Sequence, residues 1–453
     1  MIYKQQGEKL KFYKLQPDQV LVLGFAAVIL TGAFLLMMPV ASSDGTVTPF
    51  IDCLFTSTSA VCVTGLVTVD TGVHWSLFGQ IVIMLLIETG GLGFMTFATM
   101  FAILLGRRIS LKERLIMQEA YNSFSIQGIV KLALYVMGIT FTIEGIGAVL
   151  LATQFVPQYG WAKGIYFGIF HAVSAFCNAG FDLIGGFKNL TPYVENAVVS
   201  LTIGGLIVIG GIGFAVITEL LNYKKSKKLS LHAKVVLSTT AILIVSGAVL
   251  FYLFERSNPE TMGNLSPKGK VLASLFASIT PRTAGFNTIP TEKMTLAGQF
   301  LTIILMFIGA SPGSTGGGIK TSTAALLFMT VVAVVHGRED TEIDKKRISK
   351  ELVYRAIAIT LISFSLVMLV TMILCLTQKG TFIQFLYEAT SAFGTVGLTL
   401  DLTTHLNWFG KLIILLTMYV GRVGVLTIAL AFAKKQISAG KNIKYPEDKI
   451  LVG

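Results

Sequence analysis

A chain of 453 residues that is 53% hydrophobic and only 13% charged, with a mean hydropathy of +0.73, is not a soluble globular chain, since in those about a quarter of residues are charged. Its net charge of +12 is no polynucleotide footprint either, because 25 of the 36 Lys and Arg gather in the N-terminal tail, in 107–131, 224–234 and 338–355, and in the tail after Phe432. By the positive-inside rule all five places are cytoplasmic, so the excess charge sets orientation and nucleic acid is excluded as a partner.

After an N-terminal tail (1–14) expected in the cytoplasm, the run Val20–Met38 carries no charge and is long enough to cross a ~30 Å hydrocarbon core. It exceeds a signal-peptide core and no convincing small-residue cleavage site follows, so it reads as a span. From there one pattern recurs: an apolar span, an external connection, a shorter apolar stretch closing on a lone glycine, then a second apolar span. The three apolar pieces fall at about 18–38, 49–66 and 75–105, then at 129–155, 161–181 and 195–222. They return at 234–254, 269–286 and 296–335, and finally at 352–377, 381–398 and 408–433. The closing segments read STSAVCVTGL at Gly65, AVSAFCNAGF at Gly180, ASITPRTAGF at Gly285 and ATSAFGTVGL at Gly397, with glycines 115, 105 and 112 residues apart. Like segments at near-constant spacing mark an internal repeat. The units are therefore 15–110, 111–230, 231–345 and 346–435, with a cytoplasmic tail at 436–453.

The middle stretch of each unit cannot cross. From Phe50 to Ala60 it predicts a helix of about 11 residues, roughly 16 Å long, which must enter and return on one side. Non-helical backbone at that depth survives only when buried in protein or lining water. Two crossings per unit give eight in all, with both termini inside. The expected fold is an all-α polytopic membrane protein: four parallel span–loop–span repeats with re-entrant loops around a pseudo-fourfold pore. To aim consecutive carbonyls at an axis the backbone must reach φ > 0, which glycine does without Cβ strain. The expected ion-coordinating backbone is Val63, Thr64 and Gly65; Asn178, Ala179 and Gly180; Thr283, Ala284 and Gly285; and Thr395, Val396 and Gly397. Glycines that merely permit close helix contact are the alternative. Ten residues before each glycine stand Phe55, Phe170, Leu275 and Tyr387, and six before stand Ser59, Ser174, Ile279 and Ser391. This pattern suggests packing of the lead-in helices.

The stretches VTGLVTVD, SAFCNAGF, TPRTAGFN and SAFGTVGLTL resemble the four pore loops of the Trk/Ktr/HKT superfamily of potassium transporters, most of all the bacterial Ktr membrane subunit. GGLGFMTF, GGIGF and GRVGVLT extend the likeness over nearly the whole chain. The resemblance implies four fused M1–P-loop–M2 potassium-channel units in a bacterial plasma membrane, and K+ uptake. It further implies a homodimer docked on a cytoplasmic ring of nucleotide-binding (RCK-type) regulatory subunits. Relatives that favour Na+ carry serine where this chain has Gly65, which points to K+. One shared glycine per loop, in place of a TVGYG-type run, implies weaker K+/Na+ discrimination. Cys177, before Asn178, departs from the pattern with little expected consequence.

In the third unit the second span is interrupted by GASPGSTGGGIKTST. A gate is expected there from Gly309, Ala310, Ser311, Pro312, Gly313, Ser314, Thr315, Gly316, Gly317, Gly318 and Lys320, since such a run breaks a helix. Where the first and second units have Gly91 and Gly211, the fourth has Arg422. A guanidinium at that depth needs partners, which free carbonyls and hydroxyls of the broken loop, such as those of Ser311, Ser314 and Thr315, could supply; the resemblance implies the same gating roles. Arg422 neutralising Glu88 is the alternative. GSTGGGIKT is no Walker A loop, because Ile319 separates Gly318 from Lys320.

Asp70, Asp182 and Asp401 could concentrate cations at the outer mouth or be solvated loop acids. Asp52, Glu144 and Glu388 are expected to bond inter-helix donors, and Arg282 to brace a neighbouring loop or acid. Cys53, Cys62, Cys177 and Cys375 show no CxxC spacing, so neither disulfide nor zinc is expected. No cofactor is foreseen; K+ is the transported ion. A Na+- or H+-coupled K+ symporter is the alternative within transport. A membrane enzyme is disfavoured, because neither HExxH nor a paired His/Asp cluster occurs in the spans.

Overall fold

The computed structural model describes residues 17–93 and 129–432, with isolated positions between 95 and 117. The two tails and most of the first basic junction lie outside the described residues. Four long apolar helices frame the molecule: α1 (Pro17–Leu36), α4 (Ile129–Tyr159), α8 (Leu231–Glu255) and α12 (Lys350–Thr377). All four are long and apolar enough to cross a membrane. Their outer faces carry exposed Phe34, Val149, Val245 and Leu369, which suits a hydrocarbon solvent.

A short helix follows each long one and packs against it: α2 (Phe50–Val61), α5 (Trp161–Phe176), α9 (Pro267–Ile279) and α13 (Phe382–Gly394). The first has 12 residues, about 18 Å of helix, too short to cross. Phe55, Phe170 and Tyr387 are fully buried.

A third helix then begins on a side-chain cap in each case. Ser76 caps α3 (Leu77–Leu92), Asn196 caps α6 (Ala197–Gly211), Thr295 caps α10 (Leu296–Phe307) and Asn407 caps α14 (Trp408–Val423). Each of these helices touches the short helix of the next unit: α3 meets α5, α6 meets α9, α10 meets α13, and α14 meets α2. The contacts close into a circle.

The third unit is not alone in having a broken second span. α6 turns through 102° into α7 (Phe214–Leu221) at Gly213, whose φ is +93°. α14 gives way to α15 (Val425–Phe432) at Gly424, φ +95°, and α3 ends at Gly93, φ +82°. A left-handed glycine ends a helix because only there is the reversal free of Cβ strain. The third unit differs in the length of its break, between α10 and α11 (Thr321–Val335), whose ends are joined by a parallel bridge between Ile308 and Ile319. The fold also departs from all-α. Strands β1 (Glu342–Ile343) and β2 (Lys346–Arg347) form an antiparallel hairpin, turning on left-handed Asp344 and Lys345 across the expected junction at 345/346.

Candidate ion path

Two residues in each closing segment are left-handed. Val63, Asn178, Thr283 and Thr395 have φ of +53°, +60°, +70° and +50°, and Gly65, Gly180, Gly285 and Gly397 have +90°, +71°, +79° and +93°. The residue between them is not left-handed. Alternation of this kind turns successive peptide groups the same way. The amides point back to the short helices: Thr64 N–H donates to Ser59 O (2.8 Å), Ala179 to Ser174 (2.7 Å), Ala284 to Thr280 (3.0 Å) and Val396 to Ser391 (2.9 Å). Among the described residues, eleven of the twelve segment carbonyls accept no hydrogen bond, Gly180 alone receiving a long 3.4 Å contact from Asn189 Nδ2.

The four glycines interlock. A β-carbon at Gly65 would lie 2.5 Å from Ala179 O, and one at Gly180 2.6 Å from Ala284 O; at Gly285 it would strike Val396 O, and at Gly397 Thr64 O. Each segment is thus seated on the next, and the fourth on the first.

Ser59 and Ser391 do more than pack. Their hydroxyls accept the Gly65 and Gly397 amides at 3.0 and 3.1 Å, while Ser174 Oγ donates to Phe181 O at 2.8 Å. In the third unit, where Ile279 takes the matching place, Thr280 Oγ1 donates to Phe286 O at 2.5 Å. The recurrence of serine six residues before the glycine was the signal, and a packing argument missed its meaning.

On one side of this ring a cavity of about 440 Å³ is lined by all four glycines together with Asp70, Asp182, Glu292 and Asp401. Asp70 also accepts the Gly72, Val73 and Phe187 amides, tying the first external loop to the second. Asp182 accepts from Ile184 N and Asn189 Nδ2, both at 2.9 Å; burial, with Asp70 adding to it, pushes its carboxyl up to about 6. Asn189, unremarked in the sequence, also accepts the Asn287 amide at 3.1 Å and so links the second and third loops. Asp401 is exposed beside His405.

On the other side a cavity of about 290 Å³ is lined by Gly91, Pro312, Gly313, Ser314, Gly316, Gly318, Lys320 and Arg422, among others. The 309–320 loop lies against the base of the ring. Gly317 N–H donates to Thr395 Oγ1 at 3.0 Å, and Thr315 Oγ1 to Phe176 O at 3.3 Å. Ser311 N–H donates to Gly211 O, Phe214 N–H to Gly313 O, Gly309 N–H to Ile319 O and Thr321 N–H to Ala310 O. Lys320 Nζ donates to Gly316 O at 2.6 Å. Arg422 donates to the carbonyls of Thr315, Gly90 and Gly91.

Of the three expected loop partners of Arg422, Thr315 serves through its carbonyl, while the hydroxyls of the other two are engaged elsewhere, Ser311 Oγ with Thr321 Oγ1 at 2.8 Å and Ser314 Oγ with Ser311 O at 2.6 Å. Nor does Arg422 pair with Glu88 among the described residues; Glu88 instead accepts from Cys177 at 3.4 Å. Carbonyls suit a guanidinium here because the helix end at Gly93 leaves Gly90 O with only the long Gly93 amide contact of 3.3 Å, and carbonyls at a helix end or in a broken loop have acceptor capacity to spare.

Asp52 pairs with Lys411 at 2.6 Å, joining α2 to α14. Glu388 accepts from Thr399 and Thr403. Arg282 reaches Thr240 Oγ1 on α8 at 3.3 Å, rather than a loop or an acid.

A closed circle of carbonyl-bearing segments thus lies between two cavities, one acidic and one holding an arginine, and the fold is that of a cation transport protein. Residues 3–445 match the TrkH family, described as "Cation transport protein", and the chain belongs to that family. It is 43% identical over 444 residues to the potassium/sodium uptake protein NtpJ of Enterococcus hirae, covering 97% of this chain and 98% of that one. It is 41% identical over 449 residues to the Ktr system potassium uptake protein B of Bacillus subtilis, covering 99% of each. The solved structure of the potassium transporter TrkH from Vibrio parahaemolyticus shares the fold, with a TM-score of 0.72 at 17% identity over 95% of this chain and 87% of that one.

Proposed function

We propose that this chain is the K+-translocating membrane subunit of a Ktr-type potassium uptake system. Four M1–P-loop–M2 units, 15–110, 111–230, 231–345 and 346–435, surround one pore and cross the plasma membrane eight times, with both tails in the cytoplasm. The free carbonyls of residues 63–65, 178–180, 283–285 and 395–397 replace the hydration shell of the ion. The observation that carries this reading is the closed circle of contacts from Gly65 to Ala179, Gly180 to Ala284, Gly285 to Val396 and Gly397 to Thr64. The acidic outer cavity supports cation entry from that side.

The loop 309–318, Lys320 and Arg422 form the gate. Arg422 clamps Thr315 of the loop to Gly90 and Gly91 of the first unit, and its charge opposes K+ beneath the filter. The chain works as a homodimer on a cytoplasmic nucleotide-binding ring, in keeping with relatives named as parts of a Ktr system. A second reading, Na+-coupled K+ uptake, is favoured by the 43% identity to a protein named for potassium and sodium uptake.

Tracer K+ uptake into proteoliposomes, with and without a Na+ gradient, tests both. Uptake that ignores the gradient and rises when the loop is shortened supports the gated pore. Uptake that follows the gradient supports coupling, and a shortened loop without effect counts against the gate.

A further inference from the structure

Glu88 on α3, Glu144 on α4 and Cys177, the residue between α5 and the second carbonyl segment, converge from three separate elements. One ligand atom from each lies within 4.8 Å of the others. They are 6%, 5% and 0% exposed. Cys177 Sγ stands 3.4 Å from Glu88 Oε2 and 3.9 Å from Glu144 Oε1. Glu88 Oε1 is buried without a hydrogen-bond partner, and no Lys, Arg or His pairs with either acid among the described residues. Two carboxylates and a thiol in so dry a place must either hold protons or share a cation.

We propose that Glu88, Glu144 and Cys177 form a binding site for a divalent, borderline-soft metal ion of the Zn2+ class. Around a tetrahedral Zn2+, sulfur at about 2.3 Å and oxygen at about 2.0 Å stand about 3.5 Å apart. The two sulfur–oxygen distances here, 3.4 and 3.9 Å, bracket that value. Three protein ligands leave a fourth position open. Space for the sulfur depends on Gly91, where a β-carbon would lie 2.6 Å from Cys177 Sγ. Because the Gly91 carbonyl also accepts from Arg422 at 3.3 Å, an occupied site would stiffen the wall that holds the gate arginine. The three residues lie 56 and 33 positions apart, so no motif spacing betrays them.

The site is tested on the purified full chain with Cys53, Cys62 and Cys375 replaced by serine, so that Cys177 is the sole thiol. Cd2+ added alone, followed by desalting, should leave about one equivalent per chain and a near-ultraviolet thiolate-to-cadmium absorption band. Cys177→Ser should abolish the band, and Glu144→Gln should weaken retention at least about tenfold. Size-exclusion profiles confirm that each variant is folded. Glu88→Gln, nearly isosteric, repeats the test should Glu144→Gln fail to fold. A parent chain that retains no Cd2+, or a band that survives Cys177→Ser, overturns the proposal and leaves the two acids holding only a shared proton. None of these readouts depends on K+ flux, so the site can fail while the pore reading stands.

Discussion

Replacing Gly65 with serine perturbs the ring at a point where the cost can be worked out. At φ +90° a residue with a β-carbon is strained by about 1–2 kcal/mol. The new β-carbon would also sit 2.5 Å from Ala179 O, against a working minimum of 3.0 Å, so one segment must retreat by about 0.5 Å. Ala179 O is one of the free carbonyls, and moving it unsettles two quadrants at once. If 1–2 kcal/mol falls on the K+-occupied state, K+ uptake drops about fivefold to thirtyfold, while Na+, smaller and less dependent on the ring's spacing, loses less. The assay is K+ and Na+ uptake into proteoliposomes. Gly45→Ser is the control: its φ is +72° but no atom lies within 4 Å of the added carbon, so it shares the backbone strain without the collision. K+ uptake by Gly65→Ser that matches both the parent and the Gly45→Ser control would refute the reasoning, since a ring on the ion path could not absorb that displacement unnoticed.

Arg422→Met removes the donors to Thr315, Gly90 and Gly91; K+ leak in unstimulated liposomes should rise several-fold, and an unchanged leak argues against a clamp. Ser391→Ala strips the Gly397 amide of its acceptor, leaving a buried N–H at a cost of about 1–3 kcal/mol; both melting temperature and K+/Na+ selectivity should fall, the latter read from paired tracer fluxes. Because Asp182 is pushed up from 3.8 to about 6, external acidification protonates it before an ordinary carboxylate, and uptake should decline below about pH 6. The same upward shift means that ionisation costs the folded state some stability as pH rises through about 4 to 6; Asp182→Asn should flatten the flux profile. Lys411→Met leaves Asp52 in a largely buried site without its cation, lowering stability by about 3 kcal/mol; adding Asp52→Asn should recover much of it in thermal melts.

The positions of the short helices and the closing glycines were legible because they recur four times, and repetition separates geometry from chance. Phe50–Val61 falls within a residue of its expected bounds. The breaks at Gly213 and Gly424 were hidden because a glycine that ends a helix and one that allows close packing look alike in a single sequence. Arg422 could be recognised as needing loop carbonyls or hydroxyls, and the Thr315 carbonyl is one of them; its other acceptors, the Gly90 and Gly91 carbonyls of another unit, carry no residue-type signature. Asn189 was invisible for the opposite reason, since its two partners, Asp182 and Asn287, lie in different loops and meet only in three dimensions. Cys177 looked harmless while carbonyls alone were considered; its thiol turns away from the ring toward two acids of other helices.

That all four quadrants belong to one polypeptide has a consequence for the guanidinium at 422. In an assembly of four identical chains an arginine at this level would appear four times, and the summed positive charge would oppose K+ far more strongly. On the proposed gate, fusion lets a single quadrant carry the cation, its neighbour the loop 309–318, and the other two plain glycines at the matching places. Asymmetry of this kind makes a closure that one local movement can undo.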